Sequence, residues 1–327
     1  MSGSSPGRGG RPPVEPVAEG RPAPEASPPS ESLRRAAPDL PPRAGEDLFL
    51  HRLRRLATHP GARGLRDDAA VLGGLVLTHD MIVEGVHFLP EDPPADVAWK
   101  LVAVNLSDLA AKGAAPAGCL LGYSLSTPEW DAAFLAGLEM ALAAFDLALL
   151  GGDTVRSPGP RVFGLTALGH AAVAPSRSGA RAGDALWVTG TIGRAGLGLA
   201  LLRAGGDGPE IAAYRRPQPR LAEGRALAPV AHAMMDVSDG LLIDAARMAA
   251  ASGLAVAIDL AHVPVAGDAL AAVTAGDDYE LLFALPPDVA PPVPAARIGS
   301  FAAGSGLTLC QGGAPVDLPP RLGWEHG

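Results

Sequence analysis

Six segments of this 327-residue chain bring aspartate to a point where hydrophobic sequence begins or ends: Asp67-Asp68, Asp80, Asp108, Asp153, Asp236 with Asp239, and Asp277-Asp278. Asp80 stands out because apolar runs flank it, Val71–Leu77 before Thr78-His79 and Met81–Val83 after. A carboxylate in such surroundings costs free energy unless something positive meets it. Hard divalent cations such as Mg²⁺ bind oxygen ligands, typically a few carboxylates together with the phosphates of a substrate. Acids gathered from several segment ends therefore suit a multi-metal site that holds a polyphosphate.

Each residue also has a plainer reading. Asp67-Asp68, taken alone, solvates a turn. The small residues around Asp153 in Gly152-Asp153-Thr154 either admit a phosphate or metal close to the backbone or simply make a turn. Ser238 or Asp239 reads as the N-cap of a helix, which leaves Asp236, inside an apolar strand, without a role. A lone histidine such as His87 more often packs or caps than binds a ligand. Arg177 and Arg181 either solvate the surface or clamp a phosphate bidentately. Trp324 reads as a ring buried to pin the tail.

Composition narrows the classes. Hydrophobic residues make up 48% and charged residues 19%, which is globular, and the formal net charge is −9. A general nucleic-acid surface needs a basic footprint and is excluded. A nucleotide ligand is not, because bound cations invert the local sign. Cys119 and Cys310 form no C-x-x-C pair, so zinc and redox motifs are unsupported and a reducing compartment is the simpler setting. No apolar stretch reaches the roughly 18–20 residues of a membrane span, and no signal-peptide core precedes the fold. A cytoplasmic protein without membrane or nucleic-acid partners is expected. Lys100 and Lys112 are the only lysines, and no G-x-x-x-x-G-K-[ST] occurs, so a P-loop is excluded.

Residues 1–44 are rich in Pro, Gly, Ser, Arg and Glu and read as a disordered extension. Beyond them a helix is expected near Leu48–Leu56, then a hairpin over 69–78 whose two ends present Asp68 and Asp80. A helix over 94–112 carries Leu101, Asn105, Asp108 and Lys112 on one stripe, which is no plain core face. A strand over 117–125, a helix over 128–148 and strands over 149–154 and 162–171 complete a first half, 45–172. The register changes over 172–184. The second half, 173–327, reads as strands over 185–189, 233–237, 254–260, 279–285, 296–301 and 307–309, with helices ending near Arg203, Ala228 and Ala250.

Taken in order, Asp67-Asp68-Ala69-Ala70-Val71-Leu72, Thr78-His79-Asp80 through His87-Phe88, Ala103-Val104-Asn105-Leu106-Ser107-Asp108-Leu109-Ala110-Ala111, Gly151-Gly152-Asp153-Thr154, Arg177-Ser178-Gly179-Ala180, Val188-Thr189-Gly190-Thr191, Asp236-Val237-Ser238-Asp239-Gly240-Leu241 and Gly276-Asp277-Asp278-Tyr279-Glu280-Leu281 closely resemble the thiamine-monophosphate kinase family. That family belongs to the superfamily of aminoimidazole ribonucleotide synthetase, selenophosphate synthetase and the hydrogenase maturation dehydratase. The resemblance spans about residues 45–326. It implies an α/β (α+β) fold of two domains, the N-terminal sheet domain forming a homodimer and the C-terminal α/β domain completing an ATP groove. It implies transfer of the ATP γ-phosphoryl to thiamine monophosphate, the last step of thiamine diphosphate biosynthesis. The implied Mg²⁺ ligands are Asp68, Thr78, His79 (through its carbonyl), Asp80, Asp108, Asp153, Asp236 and Asp239. The implied ATP contacts are Gly152, Asp153, Arg177 and Ser238; the implied acceptor contacts are His87, Asp277 and Trp324.

The chain departs from the family pattern at Arg66, where glycine is expected, at His79 for Thr, at Asp277 for Glu and at Trp324 for another aromatic, often Tyr. Two sister activities are disfavoured. The reactive Cys or selenocysteine and the Lys of selenophosphate synthetase have no counterpart in Met1–Gly45, and Trp324-Glu325-His326-Gly327 lacks the terminal Cys of the hydrogenase maturation protein. A non-catalytic nucleotide-binding scaffold is disfavoured by the intact acid set.

Overall fold

The computed structural model describes residues 1–3 and 46–325; beyond its first three residues, the extension expected over 1–44 lies outside the described residues. From Glu46 onward the chain belongs to one compact unit. Its first part carries helices α1 (Glu46–Arg54), α2 (Pro94–Ala111) and α3 (Pro128–Ala144). These accompany strands β1 (Ala70–Leu72), β2 (Leu75–Val83), β3 (Ala115–Leu125), β4 (Leu149–Arg156) and β5 (Val162–His170). The strands form one sheet in the order β1-β2-β5-β3-β4.

The β1–β2 hairpin turns on Gly73-Gly74, both at positive φ (56° and 92°), the backbone that a tight two-residue hairpin demands. The second strand is longer than expected. It runs antiparallel to β5 from Leu75↔His170 to Val83↔Val162, so Asp80 sits within a strand and not at its end. Its partner strand supplies hydrogen bonds past the polar Thr78-His79-Asp80, where the hydrophobic pattern alone breaks off. Alternation sends Thr78, Asp80 and Ile82 toward the helices and leaves His79 and Met81 exposed on the other face.

The second part adds strands β6 (Ala185–Val188), β7 (Ala233–Asp236), β8 (Leu254–Asp259), β9 (Leu281–Leu285), β10 (Ala296–Ala303), β11 (Gly306–Gln311) and β12 (Ala314–Val316). Its helices are α4 (Arg194–Arg203), α5 (Glu210–Arg215), α6 (Leu221–Leu227), α7 (Leu241–Ser252) and α8 (Ala269–Ala275). The sheet order is β12-β11-β8-β10-β6-β9-β7. All its pairings are antiparallel except β11 with β8. The short α5, α8 and β12 were not expected; each is too short to show a clear period. Helix α3 stops at Ala144, four residues early, with Asp146 in the left-handed region (φ 49°).

Helix α2 is the joint between the two parts. From Val97 to Ala111 every residue except Trp99 is buried, the signature of a helix covered all round. It packs on α3, β2 and β5 on one side and on α6 and β7 on the other. Ala110 and Ala111 share a small core with Leu227, Ala228, Met234, Leu281 and Phe283 of the second part. The contact is backbone-tight: a Cβ on Gly224 would lie 2.0 Å from the Ala110 carbonyl oxygen. Gly224→Ala is therefore expected to destabilise the fold by about 1–3 kcal/mol through overpacking, despite alanine's better helix propensity. An unchanged or raised urea midpoint would show that α6 moves away from α2 freely.

A candidate divalent-cation and phosphate site

Five chain segments meet at the C-terminal half of α2. The loop before β1 brings Asp67 and Asp68, β2 brings Thr78 and Asp80, and α2 brings Asn105, Ser107, Asp108 and, at its C-cap, Lys112. From the second part β7 brings Asp236, and the following loop Ser238 and Asp239. One carboxylate oxygen each from Asp68, Asp108 and Asp236 lies within 4.8 Å of the others. Thr78 Oγ1 donates a short hydrogen bond to Asp108 Oδ2. Ser107 Oγ donates to Asp236 Oδ2 at 2.5 Å. Asn105 Oδ1 accepts from the Asp80 backbone N at 2.9 Å, while its amide donates to the Leu101 carbonyl at 2.9 Å. The stripe on α2 is thus a row of polar groups turned onto β2 and β7.

The electrostatics divide the acids. Burial pushes Asp108 and Asp236 well above the usual carboxylate range, and neighbouring carboxylates add to it, Asp80 first for the one and Asp68 for the other. Asp80 is pushed up to about 6, by burial first and then by Asp68 and Asp239. Asp68 is buried too, which would raise it, yet Lys112 and Arg177 hold it at about 2. Arg177 Nη2 bonds Asp68 Oδ1, and Arg177 Nε is buried without a hydrogen bond. A cluster of hard oxygen donors, crowded and under-neutralised, fits a divalent cation. A half-buried guanidinium whose buried Nε–H is spare fits an anionic ligand beside it.

The loop after β7 is held from inside the next helix. The backbone N–H groups of Ser238, Asp239 and Gly240 all point at Asp244 Oδ2, at 3.2, 3.1 and 3.2 Å. Arg247 ties Asp244 to Asp239. The expected N-cap role of Ser238 or Asp239 is therefore not what is found: Gly240 occupies the cap without a side-chain bond, and Asp244 satisfies the free N–H groups instead. Neither side chain of the motif caps the helix, and Asp239 is paired with Arg247.

At the other end of α2 lies a second polar group. Lys100, only 2% exposed, bonds Asp277 Oδ2 at 2.7 Å and the His87 carbonyl at 2.9 Å. Its ammonium lies 4.0 Å from the centre of the Tyr214 ring. Tyr279 Oη donates to Asp277 Oδ1 at 3.0 Å, and His87 Nδ1 accepts from the Val83 N–H at 3.0 Å. Asp277 and Tyr279 both have left-handed backbones (φ 62° and 53°), a strain that clusters at functional loops. Trp324 is 51% exposed and its backbone N–H bonds the Asp239 carbonyl at 2.8 Å. Its ring is therefore not the buried pin of the plainer reading.

Of the residues singled out in the sequence, Asp68, Thr78, Asp80, Asp108, Asp236, Asp239, Ser238 and Arg177 meet here, with His87 and Asp277 at the far end of α2. Two do not join by their side chains. The His79 ring bonds Thr166 Oγ1 at 2.9 Å on the exposed sheet face. The cross-strand row Met81–Gly164–Gly122–Asp153 places Asp153 on that same face. It is three strands from β2, roughly 14 Å away at sheet spacing. The adjacent row, Asp80–Leu165–Leu121–Gly152, faces the helices. Lys100, Lys112, Ser107, Asp244 and Tyr279 were missed. Only Lys112 left a trace, as a member of the α2 stripe.

Residues 66–171 match the family model for the AIR synthase related protein N-terminal domain, and residues 181–311 that for its C-terminal domain. The thiamine-monophosphate kinase of Caulobacter vibrioides is 40% identical over 330 residues, covering 89% of this chain and 93% of its own. The chain belongs to the thiamine-monophosphate kinase family. The Escherichia coli K12 member is 38% identical over 298 residues, covering 80% of this chain and 91% of its own. The solved family structure "AaThiL complexed with AMPPCP and TMP" superposes with a TM-score of 0.75 at 29% identity, covering 85% of this chain and 96% of that one.

The raised Asp80 group sets a sign. An acid whose folded value lies above its unfolded value holds extra protons when folded, so its contribution to stability falls as pH rises from about 4 through about 6. In EDTA at pH 7, Asp80→Asn should melt above the parent, and the gain should shrink toward pH 4. Added Mg²⁺ should stabilise the parent more than the variant. A variant that melts below the parent in EDTA at every pH would contradict this electrostatic account.

Proposed function

We propose that the chain transfers the γ-phosphoryl group of ATP to the phosphate of thiamine monophosphate, giving thiamine diphosphate and ADP. The observation that carries this reading is the meeting of Asp68, Asp108 and Asp236, from both parts of the chain, within 4.8 Å in a member of this family. Bound Mg²⁺ would neutralise charge on the phosphate oxygens of two polyanions that otherwise repel. Asp68, Asp80, Asp108, Asp236 and Asp239, with Thr78, are the groups that would hold it. Arg177 and the Ser238 loop, fixed by Asp244, would orient the nucleotide. The acceptor phosphate is already an anion, so no general base is needed and transfer is direct and in line, governed by alignment and charge. No side chain here is assigned a covalent role.

His87, Asp277 and Trp324 form the acceptor end of this reading, and Lys100 positions two of them. Residues 45–172 are the dimerisation domain and 173–327 the domain that completes the site. The homodimer is supported by the open sheet face, where Met81 and Leu120 are 53% and 43% exposed, and by the exposed edge strand β4 with Leu149, Leu150 and Val155. Such apolar faces and unpaired edges ordinarily meet a partner. Asp153 and His79 lie on that open face, so their ligand roles in this reading are tied to how it is covered, whereas Gly152 is in the row that faces the helices. Among the described residues no helix is long and apolar enough to cross a membrane, which fits an enzyme working on cytoplasmic nucleotide.

Incubating the chain with ATP, thiamine monophosphate and Mg²⁺ should yield thiamine diphosphate. Asp236→Asn should lower kcat by about 10²–10³-fold, the scale of losing one preorganised charge-stabilising group, with folding retained by circular dichroism. Failure of the parent to form product, or near-parental turnover in the variant, would overturn the reading. Lys100→Met should raise KM for thiamine monophosphate by about tenfold, the scale of one lost charge-assisted contact, and leave KM for ATP nearly unchanged. Equal rises in both would deny Lys100 a specific place at the acceptor end.

A further inference from the structure

Lys112 has no part in the reading above, yet it is fully buried inside the acid cluster. Its ammonium contacts three oxygens: Asp67 Oδ1, Asp68 Oδ2 at 2.7 Å and the Met234 carbonyl at 3.1 Å. It donates hydrogen bonds to Asp67 Oδ1 and the Met234 carbonyl and stands at ion-pair distance from Asp68 Oδ2. Two carboxylate oxygens and a carbonyl around one buried charge are the donors a hard metal ion takes. Around this point the acids are well neutralised. Asp67 also bonds Arg63, at 2.6 Å, and Asp68 bonds Arg177. Asp108 and Asp236, by contrast, are met by the hydroxyls of Thr78 and Ser107. Fixed cations thus offset the charge at the Asp67-Asp68 corner, whereas among the described residues no basic side chain bonds Asp108 or Asp236.

We propose that the Lys112 ammonium takes the place of a divalent cation at the Asp67–Asp68–Met234 corner, as a tethered counter-ion that shapes this corner before any metal–nucleotide complex arrives. The inference rests on reading Asp68, Asp108 and Asp236 as a cation site. Removing the ammonium should turn its oxygen cage into a binding place for one more ion from solution.

The test counts Mn²⁺ bound per chain, by electron paramagnetic resonance of the free ion, in the parent, Lys112→Met and Lys112→Ala. It pairs this count with melting midpoints in EDTA and in Mn²⁺. Both variants should melt lower than the parent in EDTA, regain more on addition of Mn²⁺, and bind one more ion per chain. Adding Asp67→Asn to Lys112→Met should abolish the extra ion. Equal ion counts in parent and variants would overturn the proposal while leaving the cation site standing, as would an extra ion that survives Asp67→Asn. Variants that stay unfolded in saturating Mn²⁺ would also overturn it, because a free cation then cannot replace the ammonium. A parent that binds no Mn²⁺ would remove the cation site itself, and the proposal with it.

Discussion

Like charges are brought together under cover, and the arrangement of the chain around α2 follows from that constraint. Asp108 and Asp236 are 9% and 3% exposed and come from different parts of the chain. Bringing them within reach of Asp68 costs both desolvation and repulsion. The hydrophobic burial of α2 on all sides opposes that cost, and the hydroxyls of Thr78 and Ser107 reduce it locally. The two parts of the chain are therefore held together by apolar packing against an electrostatic force that a bound cation would reverse.

Helix α2 also sets distance. Lys100 and Lys112 are twelve residues apart, roughly 18 Å along a helix axis at 1.5 Å per residue. They are anchored to segments at opposite ends of α2, Lys100 to Asp277 and the His87 carbonyl, Lys112 to Asp67-Asp68 and to the Met234 carbonyl of β7. A rigid rod with a charged clasp at each end fixes the separation of two sites better than loops do. Between the clasps, Asn105 and Ser107 tie the rod to β2 and to Asp236.

The acids were legible in the sequence because a carboxylate inside an apolar run has no cheap explanation. Asp80 and Asp236 carried that signal, and the structure sets them in one cluster. Order and type of most elements were legible for the same reason, since long apolar stripes and glycine turns are local signals. What the sequence did not carry is pairing. The full length of β2 depends on β5, some eighty residues away, and the face on which Asp153 lies depends on strand register through β3 and β5. Lys100 left no signal, because a charged residue on a helix ordinarily faces water, and Lys112 showed only as a member of the α2 stripe. The capping role of Asp244 was hidden because it acts backward from inside the helix on a loop whose own Ser238 and Asp239 fit the usual signature.

Lys100 and Lys112 are the only lysines in the chain, and neither reaches solvent. The remaining basic side chains are arginines and histidines, which do not react as amines. Reagents that acylate lysine therefore meet none on the folded surface, and enzymes that acetylate or ubiquitinate lysine have no acceptor there. A lysine becomes reactive only when α2 parts from the loops it clasps, through local opening rather than at rest. Acylation at the two lysines thus becomes a clock on this chain, recording how often α2 comes away from the segments it clasps.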